Sequence, residues 1–435
     1  MRTFEKWFPV AFALPFLFAT TMLEFLQLPS ELGRWAVLVL AAGSALVEGR
    51  RTGAGFRWFD WTALAVLGFF SASALWAIDE IYSFQRTISL GLLYVGAFWY
   101  WWGWVDRFGQ RLLIERLVRT AAVVLAANLV LFGALDPGSI LERRFQGFFE
   151  NPNNIGLVCS VGLPLAFALL LRRRGAWEIA GFAVLSLSLL VCGSRTGLVA
   201  AGAAMALIGG LRALRGNKAA IGFVVGVGAM LFAVSLTNYF DENVARTESL
   251  ETLSNRTHFW ELAKLDYIPE RPWLGHGFGT DALIHDYYGI TLSDLQLRGY
   301  GVMSSYYGLA VAVGVPATVF FFAVMWLGTA WLLYRHHQDG WMVTAAATVV
   351  AGLLVGITES SIYSVGSCFA YQFWIAVMLT TRRGVVLGQR RTAATNAGKT
   401  KRRRRRPRRA VAKAGLARFV EVPSGGRFAA VPSEK

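Results

Sequence analysis

Six arginines and a few polar partners are the residues of this chain best suited to do chemistry. Arg144 opens Arg144-Phe-Gln-Gly147-Phe-Phe-Glu150-Asn151-Pro152-Asn153, a polar turn between two apolar segments that are each long enough to cross a bilayer. A backbone and side chains this polar cannot face lipid, so the turn lines a water-filled cavity or lies at a membrane surface. Arg195 follows Ser194 in a short break between two further apolar runs, close to the hydrocarbon boundary, where a charge is costly unless it is used or paired with headgroup phosphate. Arg246, Arg256, Arg271 and Arg298 fall in or at the edge of a long loop spanning about 238–303. Arginine offers a planar fork of donors that engages two oxygens at once, so convergent arginines suit a phosphate or pyrophosphate. Taken singly, an arginine of this kind is more often a surface or interface residue; the context of Arg195 and Arg256 raises those two.

Arg256 begins Arg256-Thr-His-Phe-Trp260-Glu-Leu-Ala-Lys-Leu-Asp-Tyr-Ile-Pro269-Glu-Arg271-Pro272, followed by the glycine turn Gly275-His276-Gly277-Phe-Gly279. Phe259, Trp260, Leu262, Ala263, Leu265 and Tyr267 form a helical apolar stripe, which Pro269 and Pro272 are expected to end. An amphipathic helix lying on the outer membrane surface fits this pattern and holds Arg256 over a membrane cavity. Trp260 or Trp273 is placed to stack on a sugar ring there.

The elements that must position these residues are membrane helices. Hydrophobic residues make up 55% of 435 residues against 16% charged, and the mean hydropathy is +0.45, the composition of a polytopic all-α membrane protein and not of a soluble enzyme. Apolar runs predict about twelve spans: 7–27, 30–48, 59–77, 87–105, 115–134, 154–171, 177–193, 196–211, 219–237, 304–333, 341–357 and 364–381. The 304–333 run is too long for one perpendicular crossing and is tilted, extended beyond the membrane, or kinked at Pro316. Basic residues mark one alternating set of loops (Arg50, Arg51 and Arg57; Arg107 and Arg111; Arg172 to Arg174; Arg212, Arg215 and Lys218; Arg335; Arg382 and Arg383), which the positive-inside rule makes cytoplasmic together with both termini. The Arg144 turn, Arg195, the long loop and Glu359 then face outward.

The net charge of +16 is local. Residues 382–435 hold 17 Lys and Arg against 2 Glu, which leaves the membrane domain of 1–381 nearly neutral. The run Lys401 to Arg409 lacks interleaved aromatics for base stacking, so it reads as a disordered cytoplasmic tail that touches anionic lipid headgroups and not as a nucleic-acid site. Cys159, Cys192 and Cys368 all fall within predicted spans and read as packing residues. No zinc spacing, phosphate loop, HExxH or readable Ser-His-Asp constellation is present, which disfavours soluble-enzyme chemistries.

These motifs resemble the O-antigen ligase and polymerase family of bacterial inner-membrane glycosyltransferases, whose layout is GT-C-like. The resemblance rests on R-x-x-G-x-x-x-N-P-N at Arg144, Gly147, Asn151, Pro152 and Asn153, on Ser194-Arg195, on Arg256, Trp260, Pro272 and Gly275-x-Gly277, and on a large loop before the tenth span. It covers roughly residues 10–381. It implies transfer of a glycan from undecaprenyl pyrophosphate to a sugar hydroxyl on a glycan or lipid A core acceptor, at the periplasmic face, without a nucleotide sugar, cofactor or metal. No Asp-x-Asp pair stands in the chain. Carried over, Arg195 and Arg256 hold the pyrophosphate and stabilise charge on the leaving group, while Arg144, Asn151 and Asn153 shape the same cavity, with Arg271, His276 and Trp260 as further substrate contacts. Other polysaccharide assembly proteins are the implied partners.

One departure stands out. The family usually begins the tenth span with His-Asn, eleven residues before a glycine; here Gly314 takes the glycine place and Met303-Ser304 the other. A thioether cannot take up the acceptor's proton. His276, His285 beside Asp286, and Glu359 in Thr358-Glu359-Ser360-Ser361 are the substitutes the outer region offers, Glu359 being also a candidate partner for an arginine. Departure of the pyrophosphate ahead of attack needs no base at all. A polymerase is therefore favoured over a ligase, and two readings of other classes stay open: a transporter or flippase, and a noncatalytic binder of lipid-linked glycan.

Overall fold

The computed structural model describes residues 5–52, 58–135, 144–214, 256–289 and 301–381. The predicted span at 219–237, Arg246, Arg298 and the basic tail lie outside them. Among the described residues every regular element is helical, apart from an isolated antiparallel bridge between Thr21 and Phe149. The helices are α1 (Phe8–Leu17), α2 (Glu24–Thr52), α3 (Trp58–Ala72), α4 (Glu80–Tyr94), α5 (Trp101–Phe108), α6 (Gln110–Leu135), α7 (Pro152–Leu170), α8 (Ala176–Val191), α9 (Arg195–Ala213), α10 (Arg256–Leu262), α11 (Ile268–Glu270), α12 (Ile284–Tyr287), α13 (Ser305–Val313), α14 (Val315–His336), α15 (Gly340–Thr358) and α16 (Ala370–Thr381).

Seven of these helical stretches are long and apolar enough to cross a membrane: Glu24–Glu48, Phe59–Trp76, Gln110–Leu135, Pro152–Leu170, Arg195–Ala213, Val315–His336 and Gly340–Thr358. Three predicted spans are shorter helices here. The run at 7–27 is helical over Phe8–Leu17, then turns to pair with the Phe148–Glu150 backbone, and its last residues from Glu24 onward already belong to α2; 177–193 gives α8; 364–381 gives α16. The 87–105 run lies within α4, a π-helical turn over Val95–Tyr100, and α5.

The core is built around α7 and α15. Residues 155–169 of α7 are all buried, because the helix is apolar all round and is wrapped by α6, α8, α9, α15 and α16. Close approach of α7 and α9 depends on small residues. A Cβ on Gly156 would overlap Ser194, and one on Gly197 would lie 2.9 Å from the Gly156 carbonyl oxygen.

Some of the loop arginines are anchored by contacts between elements. Arg107 pairs with Glu5 at 3.6 Å and Glu48 at 3.2 Å, and the Arg172 guanidinium lies 3.4 Å over the Trp341 ring, close to Arg212. Arg144, Glu359 and the N-terminus of α9 gather at the opposite end of α7 and α15.

The long tenth run breaks at Gly314, not at Pro316. Gly314 has φ +82°, and Pro316 sits in the first turn of α14, where its missing N–H costs nothing. A broken helix leaves carbonyls without partners, and the glycine turn supplies them: His276 N–H donates to Val311 O at 2.9 Å, Gly277 N–H to Ala312 O at 2.8 Å, and Val315 N–H to Pro272 O at 2.8 Å. Gly275 and Gly277 adopt φ of +68° and +103°, and a Cβ on either would meet the Ala312 backbone or Ala77.

Pro269 likewise does not end the Arg256 helix. A π turn over Ala263–Tyr267 widens the helix just ahead of it, and helical structure runs on to Glu270. The buried face of this segment is Phe259, Ala263 and Tyr267: Ala263 and Tyr267 pack with Ile284, Val302 and Val311, and Phe259 lies against the His285 ring, whereas Leu265 is exposed. The segment therefore docks on the protein through one face.

Gly277→Ala places a side chain at positive φ against Ala77 and is expected to destabilise the fold by more than about 1 kcal/mol. Gly43→Ala, in an open helical position, is the control expected to leave stability unchanged or slightly raised. Thermal unfolding of both variants in detergent checks this; equal midpoints would refute the role assigned to the glycine turn.

Candidate active site

Three core helices stop at the same place, and each delivers a polar side chain. Asn151 caps α7 by accepting from Asn153 N–H at 2.8 Å, with Pro152 in the first turn. Ser194 caps α9, so that Arg195 is its first residue and stands where the helix dipole favours an anion. Glu359 ends α15 in an extended conformation. Thr196 and Thr358, one residue further on from Arg195 and one before Glu359, share a hydroxyl hydrogen bond of 2.8 Å.

The Arg144 turn is stitched into this meeting point. Phe145 N–H donates to Val191 O at 3.0 Å, and Arg144 Nε to Cys192 O at 2.9 Å, tying the turn to the α8–α9 hairpin. Gly147 takes φ +57°, which lets the chain pass over the buried Asn128 amide, whose Oδ1 accepts from Phe148 N–H at 2.9 Å. Phe145, Phe148 and Phe149 are buried, so the turn is polar through its arginine, glutamine, glutamate and asparagines.

The side chains then form one chain of contacts. Arg144 Nη2 donates to Asn153 Oδ1 at 2.5 Å, Asn153 Nδ2 donates to Glu359 Oε1 at 3.3 Å, and the same carboxylate oxygen is paired with Arg256 from α10. The Glu359 backbone is fixed too: its carbonyl accepts from Ser305 N–H at 3.1 Å and Ser305 Oγ at 2.6 Å, at the start of α13. Arg144 lies within Coulombic reach of Arg195, Arg256 and Glu359. Burial, together with the charges of Arg256 and Arg195, pushes Arg144 below its ordinary value, but not far enough to discharge a guanidinium. Burial raises the Glu359 carboxyl, and Arg256 and Arg144 oppose the rise. Among the described residues, three guanidiniums gathered around one carboxylate make an anion-seeking cluster.

Other predicted site residues lie elsewhere. Arg271 Nη1 donates to Trp76 O at 3.1 Å. His276 is fully buried; its Nε2 donates to Tyr267 O at 2.9 Å, and burial lowers its basicity. His285 is 3% exposed beneath the Tyr267 hydroxyl, 2.8 Å from its Nδ1. Trp260 donates to Met303 O at 3.4 Å and packs on Tyr307. The structure thus brings Arg144, Asn151, Asn153, Arg195, Arg256 and Glu359 together and sets Arg271, His276, His285 and Trp260 into the scaffold of the glycine turn and α10. Met303 has φ +52°, a left-handed conformation uncommon for residues other than glycine, in which Asn, Asp and His are the enriched types.

Residues 180–322 match the family model Wzy_C, described as O-antigen ligase. The matched stretch, about a third of the chain, contains Arg195, Arg256, the glycine turn and Met303, and so agrees with the family that the motifs resemble. No curated protein and no solved structure matches the chain. Arg144, Asn153 and Glu359 fall outside the O-antigen ligase match, yet they complete the cluster around its two arginines.

Sequence reading did not single out Asn128, Ser305 or Thr196. Asn128 carries a usable signal, an amide within an apolar run; the other two are ordinary polar residues whose role comes from which helix ends meet.

A carboxyl whose folded-state value is raised binds its proton more tightly folded than unfolded. Its stabilising contribution is therefore complete below the ordinary carboxylate value and declines as pH rises through the raised one. Thermal midpoints of wild type and Glu359→Gln between pH 4 and 8 are expected to diverge, with the variant losing that decline. Parallel curves would show that Glu359 is not held in a desolvated site.

Proposed function

We propose that this chain is a metal-independent glycosyltransferase that moves a glycan from undecaprenyl pyrophosphate to a sugar hydroxyl at the periplasmic face of the bacterial inner membrane. The observation that carries this reading is the Arg256–Glu359 pair set beside Arg144 and Arg195 at the end where the core helices stop. The proposed topology has about twelve spans with both termini cytoplasmic, and the basic tail rests on anionic lipid.

In the substrate-free site Glu359 neutralises Arg256. An arriving diphosphate competes for the same guanidinium, and Arg195 and Arg256 grip it while Arg144, Asn151 and Asn153 shape the floor. Losing Arg256 and gaining a nearby dianion both favour protonation of Glu359. The freed carboxylate then serves as general base: the acceptor hydroxyl oxygen bonds to the anomeric carbon, the bond from that carbon to the pyrophosphate oxygen breaks, undecaprenyl pyrophosphate leaves with the electron pair, and the proton moves to Glu359.

Met303, where the family usually carries a base, favours polymerisation of O-antigen or exopolysaccharide as the reaction. The family description favours the second reading, ligation of glycan to lipid A core. Neighbouring polysaccharide assembly proteins are the proposed partners.

Complementation of a deletion strain tests the proposal, with surface glycan length and lipid-linked intermediates as readouts. Arg195→Ala and Arg256→Ala are expected to lower transfer by about 10²- to 10³-fold and to accumulate undecaprenyl-linked glycan at normal expression. Glu359→Gln is expected to lower kcat with little change in KM. Wild-type behaviour of both arginine variants would remove the pyrophosphate clamp and favour a transporter or a noncatalytic binder.

A further inference from the structure

A second pair of arginines flanks the same loop that carries Glu359. Arg34, on α2, donates from Nη1 to the Gly366 carbonyl at 2.8 Å. Arg86, on α4, makes no hydrogen bond or ion pair to any described residue; its guanidinium lies 5.1 Å from the Tyr82 ring centroid, and its stem passes Gly279 of the glycine turn so closely that a Cβ there would overlap it. The Nε atoms of Arg34 and Arg86 are both buried without a partner. The two charges act on each other, and Arg86 also acts on Asp281 and Tyr363.

An acid within electrostatic reach of Arg86 is already engaged. Asp281 is 4% exposed and accepts from the Tyr363 hydroxyl at 2.7 Å, with Gly301 and Gly308 packed on it. Glu31, one turn before Arg34, is exposed and forms no ion pair within 4 Å among the described residues, although its negative charge acts on Arg34 more strongly than the charge of Arg86 does. Two like charges in proximity, with buried donors left open, are costly for a fold unless an anion completes them. A phosphate, with oxygens for two guanidiniums, does so.

The connection to the first cluster is covalent and short. Glu359 meets Arg256 and Asn153; four residues on, Tyr363 holds Asp281; three further on, Gly366 holds Arg34. One loop thus separates two arginine sites. A transferase whose donor and acceptor are both lipid-borne needs two headgroup sites with the reacting sugars between them.

We propose that Arg34 and Arg86 form a second phosphate site, which holds the phosphate or diphosphate headgroup of the acceptor lipid while Arg195 and Arg256 hold that of the donor. This rests on the transferase reading above. An acceptor anchored there presents its sugar hydroxyl across the 359–366 loop, on the Glu359 side.

The test uses the full chain in nanodiscs of neutral phosphatidylcholine, with undecaprenyl diphosphate titrated as the probe. Wild type is expected to bind two equivalents, Arg34→Gln/Arg86→Gln one, and Arg195→Gln/Arg256→Gln one, with Arg34→Lys/Arg86→Lys retaining most of the second. In a transfer assay the Arg34→Gln/Arg86→Gln protein is expected to raise the acceptor KM by about tenfold or more and to leave the donor KM alone. Two equivalents retained by the Arg34→Gln/Arg86→Gln protein would overturn the second site and leave the donor clamp standing. Equal competition by phosphatidylglycerol nanodiscs would reassign it to bulk lipid, and equal competition by inorganic pyrophosphate would reassign it to a free anion. Absence of binding in wild type would overturn both sites together.

Discussion

Charge at the end of an apolar bundle is the constraint on which the rest of this structure depends. Arg144, Arg195, Arg256 and Glu359 sit where α7, α9 and α15 terminate, and those helices are the ones with no polar surface to spare. At an effective dielectric of about 20, two unit charges 6 Å apart interact by roughly 3 kcal/mol. Three cations gathered with one anion therefore stay together only because the backbone leaves no alternative. The Asn151 and Ser194 caps, the Thr196–Thr358 bond and the Ser305 clasp on Glu359 each fix a helix end, and so fix a charge.

The glycine turn solves a second problem with the same economy. Breaking the tenth apolar run at Gly314 would strand carbonyls in an apolar setting, and the backbone N–H groups of His276 and Gly277 satisfy them. This also anchors the segment that carries Arg256. From Arg256 to Gly279 the chain is a strap, buried through Phe259, Ala263 and Tyr267 on one side and bonded to the broken helix on the other. His276 within this strap and His285 just beyond it are both held by Tyr267: one donates to its carbonyl, the other meets its hydroxyl, and burial lowers the basicity of both.

Much of this was legible in the residues themselves. Apolar length gives most of the long helices, loop arginines sort the two ends, and the cost of Arg195 and Glu359 at membrane edges marks them for attention. What sequence could not supply is which ends meet. The contact of Asn153 with Glu359 joins residues 206 apart in the chain, and no local pattern encodes it. The kink expected at Pro316 fell instead at Gly314, because a proline two residues into a helix disturbs nothing, while a residue at φ +82° must interrupt it. The same reasoning explains Pro269, which a preceding π turn absorbs.

Met303 and Glu359 are linked through that broken helix. Ser304 and Ser305 follow Met303 at the start of α13, and Ser305 holds the Glu359 backbone carbonyl, so the position where relatives usually carry histidine is two residues from the clasp on the Glu359 main chain. A carboxylate paired with arginine is ordinarily a poor base, since the cation stabilises its charge. Here desolvation acts the other way and outweighs the arginines. A histidine at position 303 would add a further cation to a crowded cluster whenever it held a proton. A carboxylate lowers the repulsion while the site is empty; on the proposed transferase reading it would also gain basicity once a diphosphate drew Arg256 away, so that the residue stabilising the resting cluster would be the one that the substrate's own charge prepares for proton transfer.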